Sequence, residues 1–313
     1  MKKLFAALIC TVLLAAALTG CGSVEGGEGD GVSVVASSFA PYDFVRTLLG
    51  ERGEAKLLLP PGTEAHSYEP TPKDVIGIQN CDLFVYVGGE SEGWLSGVLE
   101  DVGESVRRVT LMDCVELLEE ETVEGMESGE EPEHAEGAEY DEHVWTSPRN
   151  AVLICEKLCD ALCEADPEGE DYYRANLKAY SDELAKLDAA FEEVVENGVR
   201  DTFVFADRFP LRYFAEAYDL DYYAAWPGCA DDAEPSAATV AFLIDKVKAE
   251  GIPVVFHIEL ANEDMADTVC AETGAKKLEF NACHNVTRAQ MDDNVTYLDL
   301  MWENVDVLRE ALN

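Results

Sequence analysis

The 313-residue chain carries 64 Asp and Glu against 22 Lys and Arg, a formal net charge of −42. Such an excess excludes binding to nucleic acid or to an anionic surface by charge, and it favours cationic ligands. Ten cysteines occur without a single CxxC pair, so no paired-cysteine metal or redox motif is present.

Met1-Lys2-Lys3 is a basic start, Leu4 to Leu18 an apolar stretch, and Leu18-Thr19-Gly20-Cys21 reads as a lipobox. Positions 1–20 are therefore expected to be a cleaved secretory signal, too short for a membrane span. Cys21 is expected to be lipidated, tethering the chain to the outer face of the cytoplasmic membrane. Residues 21–31, rich in Gly, Glu and Ser, read as a flexible tether.

Val32 to Ser37 reads as a strand, and Phe39 to Val45 as a short helix with Pro41 near its start and Gly50 near its end. Lys56 to Leu59 is a second strand, broken by Pro60-Pro61-Gly62. The loop that follows carries His66 between prolines, which makes it a binding-site candidate. Pro72 to Asn80, Asp82 to Val87, Trp94 to Val102 and Val106 to Met112 continue the alternation of helix and strand. That alternation implies a parallel sheet in an α/β lobe over 32–165.

Within that lobe, positions 116–142 hold 13 Asp or Glu among 27 residues and no Lys or Arg. Such a loop cannot bury enough apolar surface to fold by itself. It carries His134, runs into His143, and stops abruptly at Val144-Trp145, which read as packed. An anionic arm leading into a packed histidine suggests a cation trap. Asn150 to Cys163 is apolar at helical spacing, with Cys155, Cys159 and Cys163 on one face as small core residues. Glu170 to Asn197 contains no Pro or Gly, and Leu177, Tyr180, Leu184, Leu187, Phe191, Val194 and Val195 form its buried stripe. At about 42 Å it is long enough to be a rigid spine, over 166–198, between two lobes.

A second alternation fills 199–313: strands at Thr202–Ala206, Leu220–Ala225, Pro253–Ile258 and Lys276–Phe280, and helices at Pro210–Tyr218, Pro235–Glu250, Asn262–Thr273 and Asp293–Leu312. Ligands in such sheets bind beyond the carboxyl ends of the strands. Asp207, Glu259 and the run Asn281-Ala282-Cys283-His284 stand there. His257 alternates within an apolar strand and reads as a core histidine.

The run PPGTEAHSYEPTPKD, the acidic arm and then EHVWTSPRNA resemble the zinc and manganese substrate-binding lipoproteins of bacterial ABC importers. The resemblance covers essentially all of the chain after the tether. It implies two α/β lobes joined by the long helix, and one metal in the cleft between them. It also implies delivery to a membrane permease and its ATPase by a monomer, with no reaction on the ligand. His66 and His143 match the family's first-lobe ligands. In the second lobe, Ala206 and Asn281 stand where the family usually has ligands. His284 is taken as a replacement, with Glu259 or Asp207 as the fourth donor. Imidazole nitrogens suit Zn²⁺ at a tetrahedral N/O site, whereas Mn²⁺ or Fe²⁺ would ask for more oxygen donors. Cys229 and Cys283 are expected to form a disulfide beside the site, as an exported chain permits. A zinc hydrolase and a surface adhesin are the competing classes; no HExxH is present for the former.

Overall fold

The computed structural model describes residues 31–64, 68–127, 139–228 and 236–313. Residues 32–313 form one compact unit built on two four-stranded, all-parallel sheets. The first holds β1 (Val32–Ala36), β2 (Gly53–Leu57), β3 (Leu83–Tyr86) and β4 (Arg107–Thr110), in the order β2-β1-β3-β4. The second holds β5 (Thr202–Phe209), β6 (Asp221–Pro227), β7 (Val254–His257) and β8 (Lys276–Glu279), in the order β6-β5-β7-β8. Each order steps to one side of the first strand and then to the other. This switch leaves a crevice at the carboxyl ends, where ligands of α/β sheets bind.

The helices are α1 (Phe39–Leu49), α2 (Pro72–Gln79), α3 (Leu95–Asp101), α4 (Pro148–Ala165), α5 (Glu170–Asn197), α6 (Arg212–Tyr218), α7 (Ala237–Glu250), α8 (Asp264–Thr273), α9 (Arg288–Asp292) and α10 (Tyr297–Leu312). The boundaries of α5 match the expected spine, and Tyr180, Leu184, Leu187, Phe191 and Val194 are buried as the stripe predicts. Cys155 and Cys159 are buried on α4, as small core residues would be. Strand β2 starts three residues earlier than its apolar run. It is an edge strand whose polar Gly53-Glu54 is placed by pairing with β1 rather than by burial.

One apolar core runs through both lobes. Val34 and Val85 of the first sheet, Leu184 and Phe191 of α5, Phe203, Phe205 and Phe256 of the second sheet and Leu308 of α10 belong to a single cluster. The lobes therefore share a core around the spine, and close packing makes such a joint stiff. Asp43 of α1 adds a polar tie, accepting from the Tyr297 N–H at the start of α10 at 2.8 Å.

The described half of the acidic run is not a free arm. Met126 is buried, and Val115, Leu117, Leu118 and Val123 pack against the shared core. From Leu118 to Glu127 the chain lies along the second lobe. Leu118 N donates to Tyr213 Oη at 3.1 Å, Glu121 pairs with Arg212 at 3.2 Å, and Glu124 pairs with Lys246 at 3.0 Å. Glu127 accepts from Ser236 N at 2.5 Å and from Thr239 Oγ1 at 2.7 Å, satisfying the amino end of α7. Gly125, at φ 81°, lies against the Phe242 ring where no side chain would fit. The run takes its shape from the second lobe, because its few apolar residues pack on the shared core and its carboxylates find second-lobe cations. His134 lies outside the described residues, as does the signal and tether with Cys21. No helix among the described residues is long and apolar enough to cross a membrane.

Candidate metal centre

Asp141-Glu142-His143 follows directly on the return of the acidic run, which pairs back on itself through Glu120 N to Glu139 O and Asp141 N to Leu118 O. Tyr213 Oη of the second lobe donates to the Asp141 carbonyl at 2.8 Å. A tight turn follows, in which the His143 carbonyl accepts from Thr146 N and from Thr146 Oγ1. His143 is fully buried. Asp141 holds it twice: Oδ1 accepts from the His143 N–H at 2.8 Å and lies 3.1 Å from Nδ1. Burial pushes the Asp141 carboxyl up to about 6, against the pull of the His143 N–H, His284 and Arg212. Gly228, at the end of β6, approaches the His143 ring and the Phe209 carbonyl so closely that a Cβ would collide with both.

His284 arrives from the other lobe, on the loop after β8. Its ring centroid lies 4.8 Å from that of His143, edge to face. Trp145 packs edge-on against both imidazoles, at 5.5 Å and 5.4 Å. The indole N–H donates to the Ala282 carbonyl at 2.8 Å, and the Trp145 carbonyl accepts from Tyr297 Oη at 2.8 Å. The His284 carbonyl accepts from Phe39 N at 3.0 Å, the first amide of α1. Trp145 and α1 thus fix the second-lobe loop against the first lobe.

Glu259 stands just beyond β7. Its Oε2 accepts from Ala282 N at 2.7 Å and its Oε1 from His284 N at 2.8 Å, with Oε1 3.4 Å from His284 Nδ1. Each histidine therefore has a carboxylate at its Nδ1 side, Asp141 for His143 and Glu259 for His284. A carboxylate at Nδ1 favours the tautomer that carries its proton there and leaves Nε2 as the acceptor nitrogen.

The other expected donors fall in different places. Asp207 accepts from Arg208 N at 2.7 Å and from Ile258 N at 3.0 Å, stitching β5 to β7 past a break in the β5–β6 register. Burial raises its carboxyl above the usual range, while those two N–H groups oppose the shift. Ala206 packs with Val204, Ala225 and Leu243 in the apolar cluster on the far face of the second sheet. Asn281 is tied into the core, its amide donating to Asn304 Oδ1 at 2.8 Å and its carbonyl accepting from Asn304 Nδ2. His257 is buried with Nδ1 2.9 Å from the Ile258 carbonyl, as a core histidine. Cys283 is fully buried, and Cys229, its expected bridge partner, lies outside the described residues.

His66 also lies outside the described residues, but the loop leading to it does not. Asn285 Nδ2 donates to the carbonyls of Pro60 and Thr63, both at 2.8 Å, and Gly62 N donates to the Val286 carbonyl at 2.8 Å. Glu64 pairs with Arg208 of the second lobe at 3.1 Å. The loop that carries His284 therefore also anchors the loop that carries His66. Among the described residues no three His, Cys, Asp or Glu side chains converge as a metal cradle. Beside the pair, a cavity of about 30 Å³ is lined by Ser38, Tyr68, Glu92, Trp94, Glu142 and His284 among others. Sequence reasoning missed Asp141 and Asn285, and read Trp145 only as a packed residue. Asp141 alone left a signal, as a carboxylate two residues before a candidate ligand.

Residues 34–311 match the family described as ZnuA, zinc-uptake complex component A, periplasmic. The high-affinity zinc uptake system protein ZnuA of Bacillus subtilis (strain 168) is 31% identical over 316 residues, covering 99% of this chain and 97% of that protein. The zinc-binding lipoprotein AdcA of Streptococcus pneumoniae (strain R6) is 30% identical over 314 residues, but the chain spans only 61% of its length. The Zn(II)-bound ZnuA-like domain of Streptococcus pneumoniae AdcA superposes with a TM-score of 0.74 at 29% identity, over 90% of this chain and 99% of that one. The metal-dependent lipoprotein YcdH from Bacillus subtilis gives a TM-score of 0.76 at 29% identity, with the same coverage of each chain. On the breadth of these matches, the chain belongs to the ZnuA family of periplasmic zinc-uptake components.

Proposed function

We propose that this protein captures Zn²⁺ outside the cytoplasmic membrane and delivers it to the permease of an ABC importer. The metal is cargo, and no reaction is performed on it. The observation that carries the reading is the pair His143 and His284, one from each lobe, ring against ring, each with a carboxylate at Nδ1. Two imidazoles so oriented offer two Nε2 donors to one ion, and His66 on the anchored first-lobe loop supplies a third. Three nitrogens suit Zn²⁺ better than Mn²⁺, which favours oxygen ligands. The fourth position falls to a solvent water or to a carboxylate near the cleft. The lipobox at Cys21 supports a lipid anchor, as do the lipoprotein names of AdcA and YcdH.

Competitive calorimetry of Zn²⁺ against Mn²⁺, on the wild type and His284→Ala, tests this. Tight one-to-one zinc binding that weakens about 100-fold or more in the variant is the expected result, since loss of a ligand exceeds loss of a supporting partner. Tight binding of Mn²⁺ in preference would move the protein to manganese uptake. Zinc binding indifferent to the substitution would remove His284 from the site.

A further inference from the structure

We propose that Glu259 is the positioning residue of the zinc site, holding the His284 loop in shape, and is not itself a metal donor. The proposal rests on the zinc-capture reading above and deepens it. Both carboxylate oxygens are turned to the loop: Oε2 to the Ala282 N–H at 2.7 Å and Oε1 to the His284 N–H at 2.8 Å. Between those two amides sits Cys283 at φ 60°. This is the left-handed region, disfavoured for a residue with a Cβ. Amides flanking a left-handed residue point the same way and form a concave seat for an anion. Here the seat is filled from within, by the Glu259 carboxylate. Glycine would adopt this turn without help, yet position 283 is a fully buried cysteine packed in the shared core. The turn is therefore held against its backbone preference by the carboxylate.

The consequence reaches the metal through His284. The same turn presents the Ala282 carbonyl to Trp145 Nε1 and the His284 carbonyl to Phe39 N, so its shape sets where the imidazole meets His143 across the cleft. Oε1 also lies 3.4 Å from His284 Nδ1, so the same carboxylate stands beside the ring as well as behind its amide. A carboxylate fully occupied behind the histidine serves the metal better there than as a fourth ligand, because pulling it forward would release a strained turn.

The test compares Glu259→Gln, Cys283→Gly and the double variant on the purified protein. Glutamine keeps the size but offers a single acceptor oxygen. We expect E259Q to weaken Zn²⁺ about 10- to 100-fold, the range for loss of a partner behind a ligand. Glycine at 283 adopts the turn unaided, so the double variant should recover to within about threefold of C283G. At saturating Co²⁺, the visible absorption of E259Q should match the wild type, because the donors are unchanged. An altered Co²⁺ spectrum, or a double variant as weak as E259Q, would make Glu259 a ligand and overturn the proposal. The cobalt arm does not depend on C283G folding well. Should the wild type bind neither metal, the zinc reading fails on its own account. Amide exchange of Ala282 and His284 in the metal-free protein then decides: faster exchange in E259Q upholds the clamp, and unchanged exchange refutes it.

Discussion

At the scale of single residues, the site depends on what stands behind each imidazole. Asp141 fixes His143 through both its amide and its Nδ1. Asp141→Asn keeps the shape but replaces the carboxylate, and we expect zinc affinity to fall about 10- to 100-fold, measured by competition with a chelator. His143→Ala should cost more than that, because it removes the donor itself. Trp145 supplies a direct readout: with its indole edge-on to both imidazoles, its emission should change on zinc binding, and Trp145→Phe should abolish that part of the signal. A zinc-induced change that survives in Trp145→Phe would place the reporter at another tryptophan.

At the scale of elements, the strap from Leu118 to Glu127 is the unexpected part. It leaves the first sheet, crosses the second lobe, and returns to deliver His143. Its end is locked by Glu127 at the amino terminus of α7, where the carboxylate replaces bonds that the first turn cannot make itself. Glu127→Ala should lower stability by about 1 kcal/mol, the usual loss for a helix cap, measured by urea unfolding. Gly125→Ala combines a left-handed backbone with a clash against Phe242. It should cost more, about 1–3 kcal/mol, by the same measurement. Neither substitution touches a proposed ligand, so zinc affinity should move far less than in Asp141→Asn. Deleting the whole of 116–127 would strip buried Met126 and the anchor of His143 together, which separates this strap from a dispensable acidic tail.

At the scale of the whole molecule, one core through both lobes makes a stiff carrier whose pH responses have opposite signs. Glu92 lies buried in the first lobe beside the cavity, and burial pushes its carboxyl from 4.5 to about 7; the Ser37 hydroxyl and the Gly88 N–H oppose the shift, and the charge of Glu142 adds to it. A folded-state value above the unfolded one means the folded protein binds more protons across that window. Its contribution to stability therefore grows as pH falls from about 8 toward about 5. Neutralising some of a net charge of −42 acts in the same direction. Zinc affinity runs the other way, because the imidazoles must be deprotonated to bind, and a histidine's ordinary value is about 6.5. Scanning calorimetry should show a metal-free Tm that rises as pH is lowered from about 8 to about 5.5, and a zinc-induced gain that shrinks over the same range. Glu92→Gln should reduce the slope of the first trend and leave the second.

The architecture was legible from the residues alone, because it is written in local patterns. Apolar runs of four to six residues alternating with helical stripes specify parallel sheets, and a Pro- and Gly-free stretch of 28 residues specifies the spine. Of the candidate ligands, His284 was legible beyond a strand end and His143 at the end of the acidic run. The tertiary structure decided what depends on distances between segments remote in the chain. It set Glu259 behind His284, tied Asp207 to the backbone of β7, and turned Ala206 to the far face of its sheet. It also laid an acidic loop along a second-lobe surface that offers Arg212, Lys246 and a helix terminus. A carboxylate can ligate a metal, cap an amide or pair with a cation, and only its neighbours in space select among the three.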